Sequence, residues 1–274
     1  RTLETYAEVL DDPGAVPADG AQPSVYDGDW LSVGVGALYG PSYDGSNDYV
    51  VTPAPIVQGR VGGIGIRPRP AGVAFDFIPD RKDSVGFSFG PSFRLRSNRA
   101  VKIADPVVAS AGKLKRALRI GPTVGISIPK LLNPYDSLSF SLDARWDVLG
   151  AHKGMVLAPS ITYFTPVSRG AGVALSFDAE RGDDKFMNYY YSVSPAQAAA
   201  SGLPQYHASA GFTKAGVTLV GGIDLDGDLT NGGLALVLVG GYSRMLGDAK
   251  ASPYTSIRGS ADQWIGAIGL GYTF

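Results

Sequence analysis

From Asp29 to Phe274 the chain falls into short segments in which every second residue is apolar, separated by stretches rich in Gly, Pro, Asp and Asn. A period of two marks β-strands whose two faces meet different surroundings. The clearest segment sets Leu138, Phe140, Leu142, Ala144, Trp146 and Val148 against Ser137, Ser139, Ser141, Asp143, Arg145 and Asp147. Three successive charges on one face suit a wet or ion-paired lumen better than a dry interior, because unpaired charge is costly to bury. The last segment carries Trp264, Ile268, Leu270, Tyr272 and Phe274 on one face and Ala267, Gly269, Gly271 and Thr273 on the other. A greasy face outside a small or polar one is the pattern of a strand with lipid on its outer side.

The alternation predicts twelve strands. They run from Trp30 to Tyr39, from Tyr49 to Arg60, in an indistinct region between Ile64 and Ile78, from Val85 to Arg96, from Leu118 to Ile128, and from Ser137 to Val148. The rest run from Met155 to Thr165, from Val173 to Glu180, weakly from Tyr206 to Thr213, from Val217 to Leu225, from Leu234 to Tyr242, and from Trp264 to Phe274. Pro53 and Pro55 weaken the second, since proline gives no N–H to a ladder. An even count closes an all-β, up-and-down transmembrane antiparallel barrel without an exposed edge. The barrel is expected over residues 29–274, after an N-terminal periplasmic extension, 1–28, rich in Asp, Pro and Ala. With both termini in the periplasm, this count puts 40–48 and 246–263 outside the cell and the long segments 97–116 and 182–205 on the periplasmic side.

Composition narrows this picture by exclusion. No apolar run approaches the ~18 residues of a spanning helix, the longest being Gly232 to Tyr242. The absence of cysteine removes disulfides, thiolate metal sites and thiol catalysis, and a net charge of −1 gives no general attraction for nucleic acid. The 37 Gly and 19 Pro favour hairpins over helices. The chain starts at Arg1 without a basic and then apolar leader, so a mature form after signal-peptide removal is expected.

Three stretches resemble the MipA/OmpV family of outer-membrane proteins, the MltA-interacting protein family. The first joins Asp29, Trp30, Gly34 and Gly36 to Tyr39, Pro41, Tyr43, Gly45, Asp48 and Tyr49, then Pro53 and Pro55. The second is the cluster Tyr189, Tyr190 and Tyr191 with Gln197, Ser201, Gly202 and Leu203. The third runs through Gly241, Tyr242, Arg244, Leu246, Gly247 and Asp248 to Ser252 and Pro253, and ends on Gly271, Tyr272 and Phe274. The resemblance spans 29–274 in the family's order. It implies the bacterial outer membrane and, for some members, a scaffold linking that membrane to a lytic transglycosylase and a penicillin-binding protein. Other members are adhesins or porin-like proteins, and no catalytic residues or cofactor come with the family.

The candidate residues follow from these readings. Inward charges are expected at Arg60, Asp76, Arg94, Arg96, Arg119, Asp143, Arg145, Asp147, Asp178, Glu180 and Asp224, either as ion pairs bracing the wall or as charge rings of a narrow porin-like passage for small polar solutes. Tyr189, Tyr190 and Tyr191, with Gln197, are expected at a partner contact or in an interfacial belt. Tyr272 and Phe274 are expected to form the assembly signal at the closing strand. Asp224, Asp226 and Asp228 resemble the start of a calcium loop, but Leu229 replaces its glycine, so an Asp-Gly turn is expected and no metal site. His152 and His207 carry no catalytic constellation. The expected protein is therefore a non-enzymatic scaffold, or a narrow channel, among lipid, lipopolysaccharide and periplasmic peptidoglycan enzymes.

Overall fold

The computed structural model describes residues 24–79 and 84–274. Twelve strands form one closed antiparallel barrel, each paired with its neighbours in the chain. They are β1 (Trp30–Pro41), β2 (Tyr49–Val61), β3 (Ile64–Arg69), β4 (Gly72–Asp76), β5 (Gly86–Arg96), β6 (Ala117–Pro129), β7 (Ser137–Asp147), β8 (Met155–Ser168), β9 (Ala171–Gly182), β10 (Gly211–Asp224), β11 (Gly233–Met245) and β12 (Asp262–Thr273). β1 and β12 close the wall in register from Ser32 opposite Thr273 to Tyr39 opposite Gly266. The backbones of Leu31 and Phe274 exchange hydrogen bonds at its foot. The start of β1 and the end of β12 therefore share one end of the barrel, the terminal end; the opposite one is the loop end.

The alternation read from the sequence separates the faces of the wall. Val35, Phe87, Trp264 and Ile268 point outward and are each more than half exposed. A continuous exposed apolar belt of this kind is matched by lipid. Paired aromatic rings rim it at both levels, Tyr39 with Tyr49 and Tyr242 with Trp264 above and Tyr272 with Phe274 below; Tyr26 and Trp30 pack edge to face on the inner side of the terminal end. The 13 residues of β2, at about 3.3 Å each and a tilt of about 40°, give a height of about 30 Å, the thickness of a bilayer's hydrocarbon core.

Two of the expected strands are corrected. The indistinct region from Ile64 to Ile78 holds two short strands, β3 and β4, turning at Pro70 and Ala71, where Ala71 takes a positive φ of 52°. The weak strand from Tyr206 to Thr213 does not form: Tyr206 makes one bridge to Val193, and Phe212 and Thr213 already belong to β10. The errors cancel in the count but not in direction. Every strand between them was read one place early, so 97–116 after β5 and the residues between β9 and β10 lie at the loop end, beside 42–48 and 246–261. Their expected place on the terminal side is overturned. The terminal end instead carries compact connections such as 62–63, 130–136 and 169–170.

The long loop-end segments fold into a roof containing α1 (Pro106–Ser110), α2 (Asp184–Tyr191), α3 (Pro195–Ser201), α4 (Gly247–Ala251) and α5 (Pro253–Ser256). Asp and Ser caps start three of them, Asp105, Asp183 and Ser194 each accepting backbone N–H groups, and proline stands at the first position of α1, α3 and α5. Two apolar clusters build the roof's core. One gathers Phe186, Met187, Tyr190, Tyr191, Met245 and Ala249; the other gathers Tyr43, Val108, Val193, Leu203 and Tyr254. Cross-links between loops complete it. The Tyr43 hydroxyl donates to the Tyr254 carbonyl, the Ser252 hydroxyl to the Tyr191 carbonyl, and Arg258 pairs with Asp105 at 2.8 Å. Of the expected extension, residues 1–23 lie outside the described residues; Val25–Asp27 form a 3-10 turn whose Val25 N–H donates to Thr230 at the terminal end.

Candidate lumen site

Inward positions on β5, β6, β7 and β9 converge in one ion-pair network. Glu180, 3% exposed, faces three guanidiniums, with Arg96 at 3.0 Å and Arg94 and Arg119 at 3.5 Å. Arg94 and Arg119 are direct cross-strand partners. Like charges placed so repel, and Glu180 between them offsets that. Arg96 also pairs with Asp44 of the roof, donates to the Tyr191 hydroxyl at 3.3 Å and stacks over the rings of Phe186 and Tyr190. A second centre forms around Asp143, which pairs with Arg145 and with Arg69 at 2.8 Å; the Arg145 Nε donates to Ser92. Asp76 pairs with Arg67 at 2.8 Å. Lys214 reaches Asp44 at 3.1 Å. The Asp44 carboxyl is held below the usual carboxylate range: burial opposes its charge, and Lys214 and Arg96 more than offset that.

Eight of the eleven expected inward charges face the lumen: seven take part in these ion pairs, and Asp178 stands exposed at an inward position. The other three serve turns. Arg60 donates to the Gly63 carbonyl; Asp147 accepts the N–H groups of Leu149, His152 and Lys153; Asp224 accepts those of Asp226, Gly227 and Asp228. Each sits at a strand end, where loop N–H groups need acceptors. Gly227, with φ 89°, makes the expected Asp-Gly turn. Residues outside the expected charge set join the network: Arg67 and Arg69 from the indistinct region, Lys214 beside a bulge at Phe212 that resets the alternation, and Asp44, whose place between Tyr43 and Gly45 reads as a turn. Around the two centres and Asp44, the cations Arg69, Arg94, Arg96, Arg119, Arg145 and Lys214 face the carboxylates Asp44, Asp143, Asp178 and Glu180. Among the described residues this leaves a surplus of two positive charges.

The tyrosine cluster is neither a belt nor an open contact patch. Tyr190 and Tyr191 are each 1% exposed within the roof core, and the Tyr189 hydroxyl accepts the Lys115 N–H at 2.8 Å. Gln197 closes the capping box of α3 by accepting the Ser194 N–H. His152 is buried against the rings of Phe186 and Tyr190, and its Nδ1 accepts the Gly154 N–H. Burial pushes its pKa down to about 4, helped by Arg119 and Arg96 and opposed by Asp147 and Asp183. His207 is exposed between α3 and β10. Tyr272 and Phe274 lie on the outer face with rings 4.7 Å apart.

Away from the network, β1, β2, β11 and β12 present an uncharged wall of glycine, alanine and mostly aliphatic side chains. Gly34 faces Gly271 and Gly36 faces Gly269 across the closing seam. A Cβ on Gly36 would stand 2.5 Å from the Ile268 carbonyl oxygen, so the strands approach too closely for any other residue. A cavity of about 100 Å³ runs along this wall, lined by Gly36, Ala54, Ile56, Val237 and Ala267. A second, of about 210 Å³, continues toward the roof, lined by Leu38, Thr52, Lys214, Ser243 and Ile265. On β1, β2 and β12 it begins at the next inward residue. Thr52 and Asp178 occupy inward positions yet are exposed, so the lumen holds solvent beside them.

Solved outer-membrane channels are similar to the chain at low identity and low structural overlap. The COG4313 outer membrane channel from Pseudomonas putida F1 is 12% identical with a TM-score of 0.45, over 95% of this chain and 100% of that one. The CymD monoaromatic hydrocarbon channel is 10% identical at a TM-score of 0.37, over 90% and 89%. OprD from Pseudomonas aeruginosa is 10% identical at 0.33, over 89% and 65%. No curated protein matches the chain. The model of the family described as MltA-interacting protein MipA matches residues 33–274, the whole barrel from within β1 to the closing aromatic, and the chain belongs to this family of outer-membrane barrel proteins.

Proposed function

We propose that the protein is a narrow, roofed conduit of the outer membrane that passes small solutes along its uncharged wall, by binding and release without catalysis. The end-to-end placement of two cavities on β1, β2, β11 and β12 carries this reading. The exposed inward positions of Thr52 and Asp178 support it, and the opposite network braces the rest of the wall. Short turns at the terminal end and long segments at the loop end fit a periplasmic and an extracellular side respectively. The roof then faces outward among lipopolysaccharide, and the apolar belt faces lipid. Swelling of vesicles carrying the purified protein in small sugars or amino acids tests the conduit. A rate above that of empty vesicles supports it; a rate equal to theirs removes it.

A second reading, a scaffold for peptidoglycan-remodelling enzymes, is favoured by the family's description as interacting with MltA. The terminal end offers it the turn at 225–232 and the Val25–Asp27 segment bound to Thr230. Segments 97–116 and 183–210 do not serve it, because they lie at the other end. Capture of a lytic transglycosylase from cross-linked envelopes supports this reading, and its loss on replacing the 225–232 turn places the contact; no capture removes it.

A further inference from the structure

Among the described residues, one strand of the wall has a stretch of unpaired edge. β2 pairs with β1 without interruption from Tyr49 to Arg60, but with β3 only through Gly59, Arg60 and Val61. The register that sets Gly59 opposite Ile66 would bring Pro68 beside Val57, and Pro68 has no N–H to give. β3 itself ends at Arg69, so the β3–β4 hairpin is shorter than the strands on either side. On β2, Pro53 and Pro55 are two residues apart and delete two donors from one edge. The ladder to β1 runs unbroken past both, so the edge without donors is the one toward the gap, as proline is used on edge strands.

The gap lies at membrane depth. Tyr49 belongs to the upper aromatic rim, and Arg60 stands opposite Trp30 at the foot of the barrel, the level at which β1 meets Phe274 of the lower rim. Between them Val51, Pro53, Pro55 and Val57 are exposed on the outer face. A strand edge open to hydrocarbon is costly, and deleting its donors by proline lowers that cost. Directly behind the edge is the uncharged wall: Ala54 and Ile56 line the lower cavity, Val50 and Thr52 the upper.

We infer that the gap between β2 and the β3–β4 hairpin is a lateral portal through which the single acyl chain of an anionic amphiphile, the class of a free fatty acid, passes between the bilayer and the lumen. The inference rests on the conduit reading and names its cargo. The portal opens on hydrocarbon and leads to an apolar wall, which selects an apolar chain. The cavities, about 100 and 210 Å³ in volume, are too small for a two-chain lipid. The lumen's surplus of two positive charges, with Lys214 on the upper cavity, selects an anionic head.

The test uses the whole 274-residue chain in lipid vesicles with a photoactivatable fatty acid carrying its diazirine at mid-chain. The chain has no cysteine, so Val57→Cys combined with Pro68→Cys introduces the sole thiol pair, closing the gap when oxidised and releasing it when reduced. The wild-type and reduced proteins should be labelled at Ala54, Ile56, Ala235 and Val237, and oxidation should return those positions to background. The methyl ester, which lacks the charge, should label them roughly tenfold less than the acid. Wild-type labelling confined to outward residues such as Val51 and Val57 overturns the portal, whether or not the double variant folds. Lumen labelling unchanged by oxidation, or equal for acid and ester, also overturns the proposal. Ion conductance of the same vesicles separates the two readings: conductance without lumen labelling removes the portal alone, and lumen labelling without conductance removes the conduit alone.

Discussion

Glu180 is one carboxylate among three guanidiniums, and removing its charge leaves Arg94, Arg96 and Arg119 in a buried cluster without a counter-ion. Glu180→Gln should destabilise the barrel by about 3–5 kcal/mol, read as an earlier urea midpoint in detergent. The parity of charged residues made this centre legible in the sequence. Lys214 and Asp44 were not legible, since a bulge resets the alternation beside one and the other resembles a turn former. Asp147 and Asp224 had inward parity but serve loop N–H groups, a demand that strand ends impose and parity does not carry. His152 adds a pH dependence. Its pKa falls from 6.5 to about 4 on folding, so its contribution is full above about 6.5 and is lost as the pH drops toward 4. The protection of α2 amides against hydrogen exchange, corrected for the intrinsic rate at each pH, should therefore be lower at about pH 5 than at about pH 7.5, and His152→Gln should narrow the difference. An undiminished difference in the variant would move the effect to other groups.

Elements, not residues, decide which side the long segments face. The closing seam and ten of the twelve strands followed directly from alternation, and the count of twelve stood because two errors cancelled. β3 and β4 did not, because strands of six and five residues interrupted by Pro68 show too few repeats of any period. Missing one and adding another reversed the direction of every strand between them. The corrected topology predicts that Ala199→Cys, exposed on α3, reacts with an impermeant maleimide on intact cells, whereas Leu132→Cys in the 130–136 turn reacts only after the outer membrane is opened. The reverse pattern would restore the uncorrected topology. The seam makes its own prediction. Gly36→Val puts a branched side chain within reach of the Ile268 carbonyl, so it should shift the heat-modified band on gels to a lower temperature and leave less folded barrel in the membrane.

For the whole molecule, the sequence carried the lipid-facing exterior and the polar interior but not the roof, whose core is assembled from four loops far apart in the chain. Nor did it carry the division of the lumen into a charged side and an uncharged side, which depends on which strands stand opposite one another. The conduit reading rests on that division. Single-channel recording of the purified protein in a planar bilayer tests it most directly. Small, reproducible conductance steps are expected, roughly halved by Thr52→Trp, which narrows the track without touching the ion network. Current indistinguishable from that of the bare membrane would contradict the account.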